Sequence, residues 1–122
     1  RSPHEAVSPK VVTARRPVGA WEGKGTRSVG DINSDTGRFH ITWETRREQS
    51  TGQGRFKLTV RSAVSGRPLQ VVVDHRGAGK GEVDFADVGR IYDFLVESEN
   101  VEWSFAVTEI YQAYEKLPPS KP

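Results

Sequence analysis

From Gly89 to Tyr111 the pattern of apolar and polar side chains reads as two strands joined by a tight turn. Val101, Trp103, Phe105 and Val107 fall on one face, and Glu102, Ser104, Ala106 and Thr108 on the other. A period of two is that of a half-buried antiparallel strand. Just before it, Tyr92, Phe94 and Val96 share one face while Ile91 and Leu95 lie on the other with Asp93 and Glu97. Two partly apolar faces place this strand away from a sheet edge. A helix over 91–97 is the competing reading, because a short apolar run is ambiguous by period; aromatic and β-branched content favours the strand. Ser98, Glu99 and Asn100 are a short polar link of the kind that closes a hairpin.

The same period recurs upstream. In Arg38–Arg46, Phe39, Ile41 and Trp43 point one way and His40, Thr42 and Glu44 the other. In Arg55–Ala63, Phe56, Leu58 and Val60 point inward and Arg55, Lys57, Thr59 and Arg61 outward. Pro68–Asp74 carries valines on both faces and is expected to be well buried; Glu82–Ala86 is a further strand. Trp21, beside Gly19, Gly23 and Gly25, anchors a strand near the start, where the glycines allow close approach or bulges. Thr26–Ile32 completes a strand there. Asp31–Gly37, Gln49–Gly54, Ser65–Gly66 and His75–Gly81 read as turns and loops. The expectation is all-β: a single antiparallel β-sandwich of about seven or eight strands.

Composition sets the boundaries. Residues 1–16 hold Arg1, Lys10, Arg15 and Arg16 against Glu5, a net +3, whereas the whole chain carries +2, so the remainder is slightly acidic. The reading is a flexible basic leader over 1–16, in which Val11–Ala14 has room for a short edge strand, a domain over 17–111, and a Pro-rich tail over 112–122. Gln112–Leu117 has room for one helical turn in that tail. A domain without a basic face argues against nucleic acid as a partner. No apolar run has the length of a membrane span, so no membrane insertion is expected. Cysteine is absent, which removes disulfides, thiolate metal sites and cysteine nucleophiles together. Methionine is absent as well, including at position 1, which fits a processed chain from which a signal peptide has been removed.

The aromatic strand, the polar turn at Asn100-Val101, Glu102-Trp103 with alternating Val and Thr after it, and the glycine-flanked Trp21 strand resemble small exported bacterial β-sandwich domains of unassigned function. The resemblance implies a sandwich and a secreted or periplasmic location in the cell envelope. It implies no catalytic residue.

Candidate chemistry is sparse. Asp31, Asn33 and Asp35 place oxygen-bearing side chains at alternate positions of a turn, a pattern that can converge on calcium. The helix–loop–helix calcium pattern fails, because its sixth position is Thr36 and its twelfth Thr42. The bland account is an Asn/Asp turn bonded to its own backbone. His75–Gly81, HRGAGKG, lacks the Ser or Thr after Lys80 and the following helix that a phosphate-binding loop needs; an anion contact through Arg76 and Lys80 is the residual possibility. His4, His40 and His75 show no nucleophile motif around them, and no catalytic residue is assigned. Trp21, Trp43 and Trp103 lie in phase with the core. Tyr111 and Tyr114, beyond the last strand, are the exposed aromatics offered to a ligand. Arg46-Arg47 with Arg55 and Lys57 form either a basic strip for a polyanion or a solvated face balanced by Glu44 and Glu48. The leading expectation is a non-catalytic binding module for a protein or carbohydrate partner. A calcium-stabilised accessory domain and a small hydrolase are the alternatives.

Overall fold

The computed structural model describes residues 11–114. Nine strands follow one another: β1 (Val11–Lys24), β2 (Arg27–Ser28), β3 (Ile32–Ser34), β4 (Arg38–Arg46), β5 (Arg55–Ser62), β6 (Pro68–Arg76), β7 (Gly79–Ala86), β8 (Arg90–Glu99) and β9 (Glu102–Tyr114). They form two antiparallel sheets packed face to face, a β-sandwich. The first sheet has the order β1-β9-β4-β7; the second has β6-β5-β8, with both β2 and β3 on the far side of β8. Among the described residues no helix is long and apolar enough to cross a membrane.

The alternation that marks each strand fills the space between the sheets. Phe39 and Ile41 of β4 and Trp103, Phe105 and Val107 of β9 face Phe56, Leu58 and Val60 of β5 and Tyr92, Phe94 and Val96 of β8. Phe39 meets Tyr92 edge-on with ring centroids 5.3 Å apart and Phe94 at 5.6 Å, a favoured geometry for aromatic pairs. Trp103 is fully buried, and its indole N–H donates to the Gly25 carbonyl at 2.9 Å.

The principal departure from the sequence reading is at Asn100. β8 and β9 are not a hairpin. β8 pairs with β5, β2 and β3, and β9 with β1 and β4. The link turns through Asn100 at φ 60° and buried Val101, carrying the chain from one sheet to the other. Each strand has one strongly apolar face, and the two faces are both buried when they meet across the sandwich. Six of the eight connections cross between the sheets in this way; only β2–β3 and the β5–β6 hairpin stay within one.

Other boundaries shift for the same reason. β1 begins at Val11 and runs through Arg15, Arg16 and Pro17 with a bulge between Pro17 and Gly19, so the expected boundary at Pro17 falls inside a strand. Gln112–Tyr114, expected to start a helical turn, extend β9 against Val11–Thr13. Ile32–Ser34, expected in a turn, form β3, because Ile32 is buried opposite Tyr92. His75 and Arg76 end β6 and Gly79–Gly81 begin β7, which shrinks the expected glycine-rich loop to Gly77-Ala78. β6 lies at a sheet edge, with Val71 45% exposed although Val73 is buried. Its opening Pro68 suits that place, since proline cannot donate to a second neighbour.

Candidate functional site

On the first sheet the residues that alternate with the core side chains face solvent. The strand registers align them in two rows. Ala20, Ala106, Thr42 and Glu82 lie side by side across β1, β9, β4 and β7; Glu22, Ser104, Glu44 and Lys80 form the next row. Four of these eight side chains are Ala, Ser or Thr, concentrated on β9 and its neighbours, while the glutamates and Lys80 are long. The result is a trough of about 750 Å³ running across all four strands. Its volume is in the range of small-ligand clefts.

Polar clusters flank the trough on its two long sides. On one side, His40 lies opposite Asp84 on β7 and Thr108 on β9. Its Nδ1 is 2.6 Å from Asp84 Oδ1 and its Nε2 is 3.0 Å from Glu82 Oε1. On the other, Glu102 stands among Lys24, Arg46 and Arg47, with Arg47 at 3.1 Å and Lys24 and Arg46 at 3.9 Å. Arg46 also lies 3.9 Å from Glu22 and 3.5 Å from the Ser104 hydroxyl. Trp21, Trp43 and Phe105 reach the trough along their strands, but their rings turn inward: Trp21 packs on Phe105 at 5.2 Å and Trp43 on Phe56 at 5.9 Å. The two rows thus offer hydroxyls, carboxylates and one ammonium, and no aromatic platform.

Two carboxylates off this face are buried and fully engaged. Glu109 follows Val107 in the inward phase of β9 and is 1% exposed. Its Oε2 receives the Ser34 hydroxyl at 2.6 Å and the backbone N–H groups of Asp35 and Thr36 at 3.1 and 3.2 Å, with the Thr36 hydroxyl at 3.1 Å. Its Oε1 accepts from Arg16 Nε at 2.6 Å. Burial alone pushes this carboxyl up, but the bonds from Ser34, Thr36 and Arg16 outweigh it and hold it down at about 2. Asp93 on β8 does the same for the second sheet. It accepts from the Ser28 hydroxyl at 2.7 Å, the Gly30 N–H at 3.1 Å and the Arg61 guanidinium. Burial pushes Asp93 up; its bonds from Arg61, Ser28 and Gly30 bring it below the usual carboxylate range. Each carboxylate ties a turn and a neighbouring strand to a central strand.

The residues singled out in the sequence fall as follows. Asp31, Asn33 and Asp35 are all exposed, and the turn that carries Asp35 directs its N–H groups inward to Glu109. Among the described residues no three His, Asp or Glu side chains are grouped to hold a metal ion. Tyr111 is half-buried on β9 opposite Ala14, and Tyr114 ends that strand opposite Val11. Tyr111 does not border the trough. His75 is half-buried with its ring 4.8 Å from Trp43. His40 Nε2, the atom a hydroxyl nucleophile would need, meets Glu82 instead. His4 lies outside the described residues. Lys80 lines the trough, and the glycines around it serve packing: a Cβ at Gly79 would stand 2.7 Å from His75 Nε2, and one at Gly81 2.9 Å from Trp43 Cζ2. Arg46 ends β4 on the first sheet and Arg47 follows it, whereas Arg55 and Lys57 are on the second, paired with Asp74 and Glu97, so they do not form one strip.

Glu109 had a signal in the sequence, a charge in the inward phase of an apolar strand. The trough had none, because its rows exist only once four strands are in register. No model of a known protein family matches the chain, and neither does any curated protein.

Proposed function

We propose that the protein is a non-catalytic binding module of an exported bacterial protein, and that its partner is an extended polypeptide segment lying across the outer face of the first sheet. The trough carries this reading. Small side chains in the middle of the face let a chain lie close to the sheet, and the long polar side chains beside them supply donors and acceptors along its length. The absence of a ring face in the two rows favours a polypeptide over a glycan, since sugars are held largely by stacking on aromatic faces. Glu22, Glu44 and Glu82 against Lys80 favour a segment that carries Lys or Arg. The resemblance to exported domains supports the location.

Fluorescence anisotropy with a labelled Lys-rich peptide, a Glu-rich peptide and a neutral oligosaccharide tests this. The Lys-rich peptide is expected to bind, and binding should fall at least about tenfold in Ala106→Trp, which fills the floor, at an unchanged unfolding midpoint. Equal affinity in the filled variant removes the trough as the site. Binding of the oligosaccharide alone replaces the polypeptide reading with a glycan one.

A further inference from the structure

β4 pairs with β9 only as far as Phe39 opposite Glu109, whereas β1 follows β9 to Tyr114. The last five residues of β9, Ile110–Tyr114, therefore form with Val11–Arg15 a two-stranded ribbon that extends past the four-stranded sheet. Such ribbons are marginal in water without a third strand or a cover. The Thr36 hydroxyl, in the turn leading into β4, sits 2.9 Å from the Ile110 carbonyl. That carbonyl thus points to the β4 side. Alternate residues of a strand present their N–H and C=O to the same side, so Gln112 and Tyr114 present theirs at this edge, where no strand among the described residues meets them. The segment Ile110–Tyr114 carries no charge. Around it, Val12, Ala14, Tyr111 and Ala113 are half-buried and Val11 is 50% exposed.

The other edges are blunted. β1 carries Arg15, Arg16 and Pro17 with a bulge, and β6 opens on Pro68 and shifts register twice along β5. β7 carries Lys80, Glu82 and Asp84, and β2 and β3 are short and interrupted. These are the devices by which sheets avoid pairing with other chains, and the end of β9 lacks them.

We propose that this open edge is a dimer interface, in which Ile110–Tyr114 of two copies pair antiparallel about a two-fold axis at Gln112. A second copy suits the edge because self-pairing of this uncharged segment sets no like charges opposite one another. It also gives the closed, isologous contact of the commonest oligomers. Gln112 then faces Gln112, and Ile110 faces Tyr114 on both sides of the axis. These pairs exchange about four backbone bonds, the two Ile110 carbonyls being already engaged by Thr36. The two first sheets join into one continuous sheet, and Tyr111 of each copy lies opposite Ala113 of the other.

Sedimentation equilibrium of the full chain over a wide concentration range tests the proposal. The expected result is a concentration-dependent species of twice the mass of one chain. Gln112→Pro removes an N–H from the open edge only, leaving the β1–β9 ladder intact, and should sediment as a single chain with an unchanged circular dichroism spectrum. Gln112→Lys, which sets two like charges across the axis, should raise the dissociation constant by roughly tenfold or more at low salt, with partial recovery at high salt. A single-chain mass for the wild type at every concentration overturns the proposal. So does a dimer that both variants leave unchanged.

Discussion

Replacing Glu109 by Gln tests whether one buried carboxylate holds the β3–β4 turn and β1 to β9. Gln keeps the shape but loses the charge, and it turns an N–H₂ toward donors already aimed at the site. The magnitude follows from linkage. The folded carboxyl sits at about 2, lowered from 4.5, and each unit corresponds to about 1.4 kcal/mol, so the ionised group contributes on the order of 3 kcal/mol near neutral pH. Because the folded value is depressed, this contribution is present above pH 4.5 and is lost as pH falls toward 2. Urea unfolding of the wild type and Glu109→Gln should differ by about 3 kcal/mol at pH 7. By pH 2, most of this difference should be gone. For a domain of this size the neutral-pH loss lowers the midpoint by roughly 10 °C. Equal stability at pH 7, or a difference that does not change with pH, refutes the reasoning. A smaller effect in Arg16→Ala is expected beside it, since the Arg16 side chain is 52% exposed and Ser34, Asp35 and Thr36 still serve the carboxylate.

Two further outcomes follow from local geometry. Gly81→Ala places a Cβ 2.9 Å from the Trp43 ring and should cost about 1–3 kcal/mol in thermal unfolding, as overpacking does; the cost should fall in a Trp43→Ala background if the ring is the cause. Thermal unfolding in excess calcium and in chelator should give the same midpoint, because the Asp35 turn points its donors inward and its carboxylate outward. A calcium-dependent rise that Asp35→Ala abolishes would instead establish a cation at Asp31, Asn33 and Asp35, since a ligand at a hundred times its dissociation constant adds roughly 2.7 kcal/mol.

Fold class was legible because period two survives in every long strand. β4 matches its sequence reading from Arg38 to Arg46 with the same inward set. What periodicity does not carry is which sheet a strand joins. A short polar link serves a hairpin and a crossing between sheets equally well, and at Asn100 the choice rests on partners far away in the chain, β1 and β4 for β9, and β5 for β8. The reach of β1 was hidden for a related reason. Arg15, Arg16 and Pro17 are poor strand residues by composition, yet an edge strand needs bonds on one side only, and there charge and proline are tolerated.

The candidate sites divide along the same line. A buried charge leaves a local trace, since Glu109 stands where Val107 and Phe105 predict another apolar residue, and asking what would neutralise it leads to the donors of the Ser34–Thr36 turn. In the acidic turn the outward carboxylates are visible in the sequence, while the inward N–H groups that serve Glu109 are shared by any turn. The trough leaves no local trace at all: Ala20, Thr42, Ser104 and Ala106 are unremarkable one by one and become a surface only through register. A register, in turn, is held by whatever anchors each strand lengthwise. Glu109 fixes β9 against β1 through Arg16 and against the entry to β4 through Ser34 and Thr36. It stands three residues beyond Ala106 on β9, the strand that contributes the middle of the trough floor, so the buried carboxylate and the open face belong to one design. A substitution that loosens the first is expected to blur the rows of the second before the sandwich itself is lost.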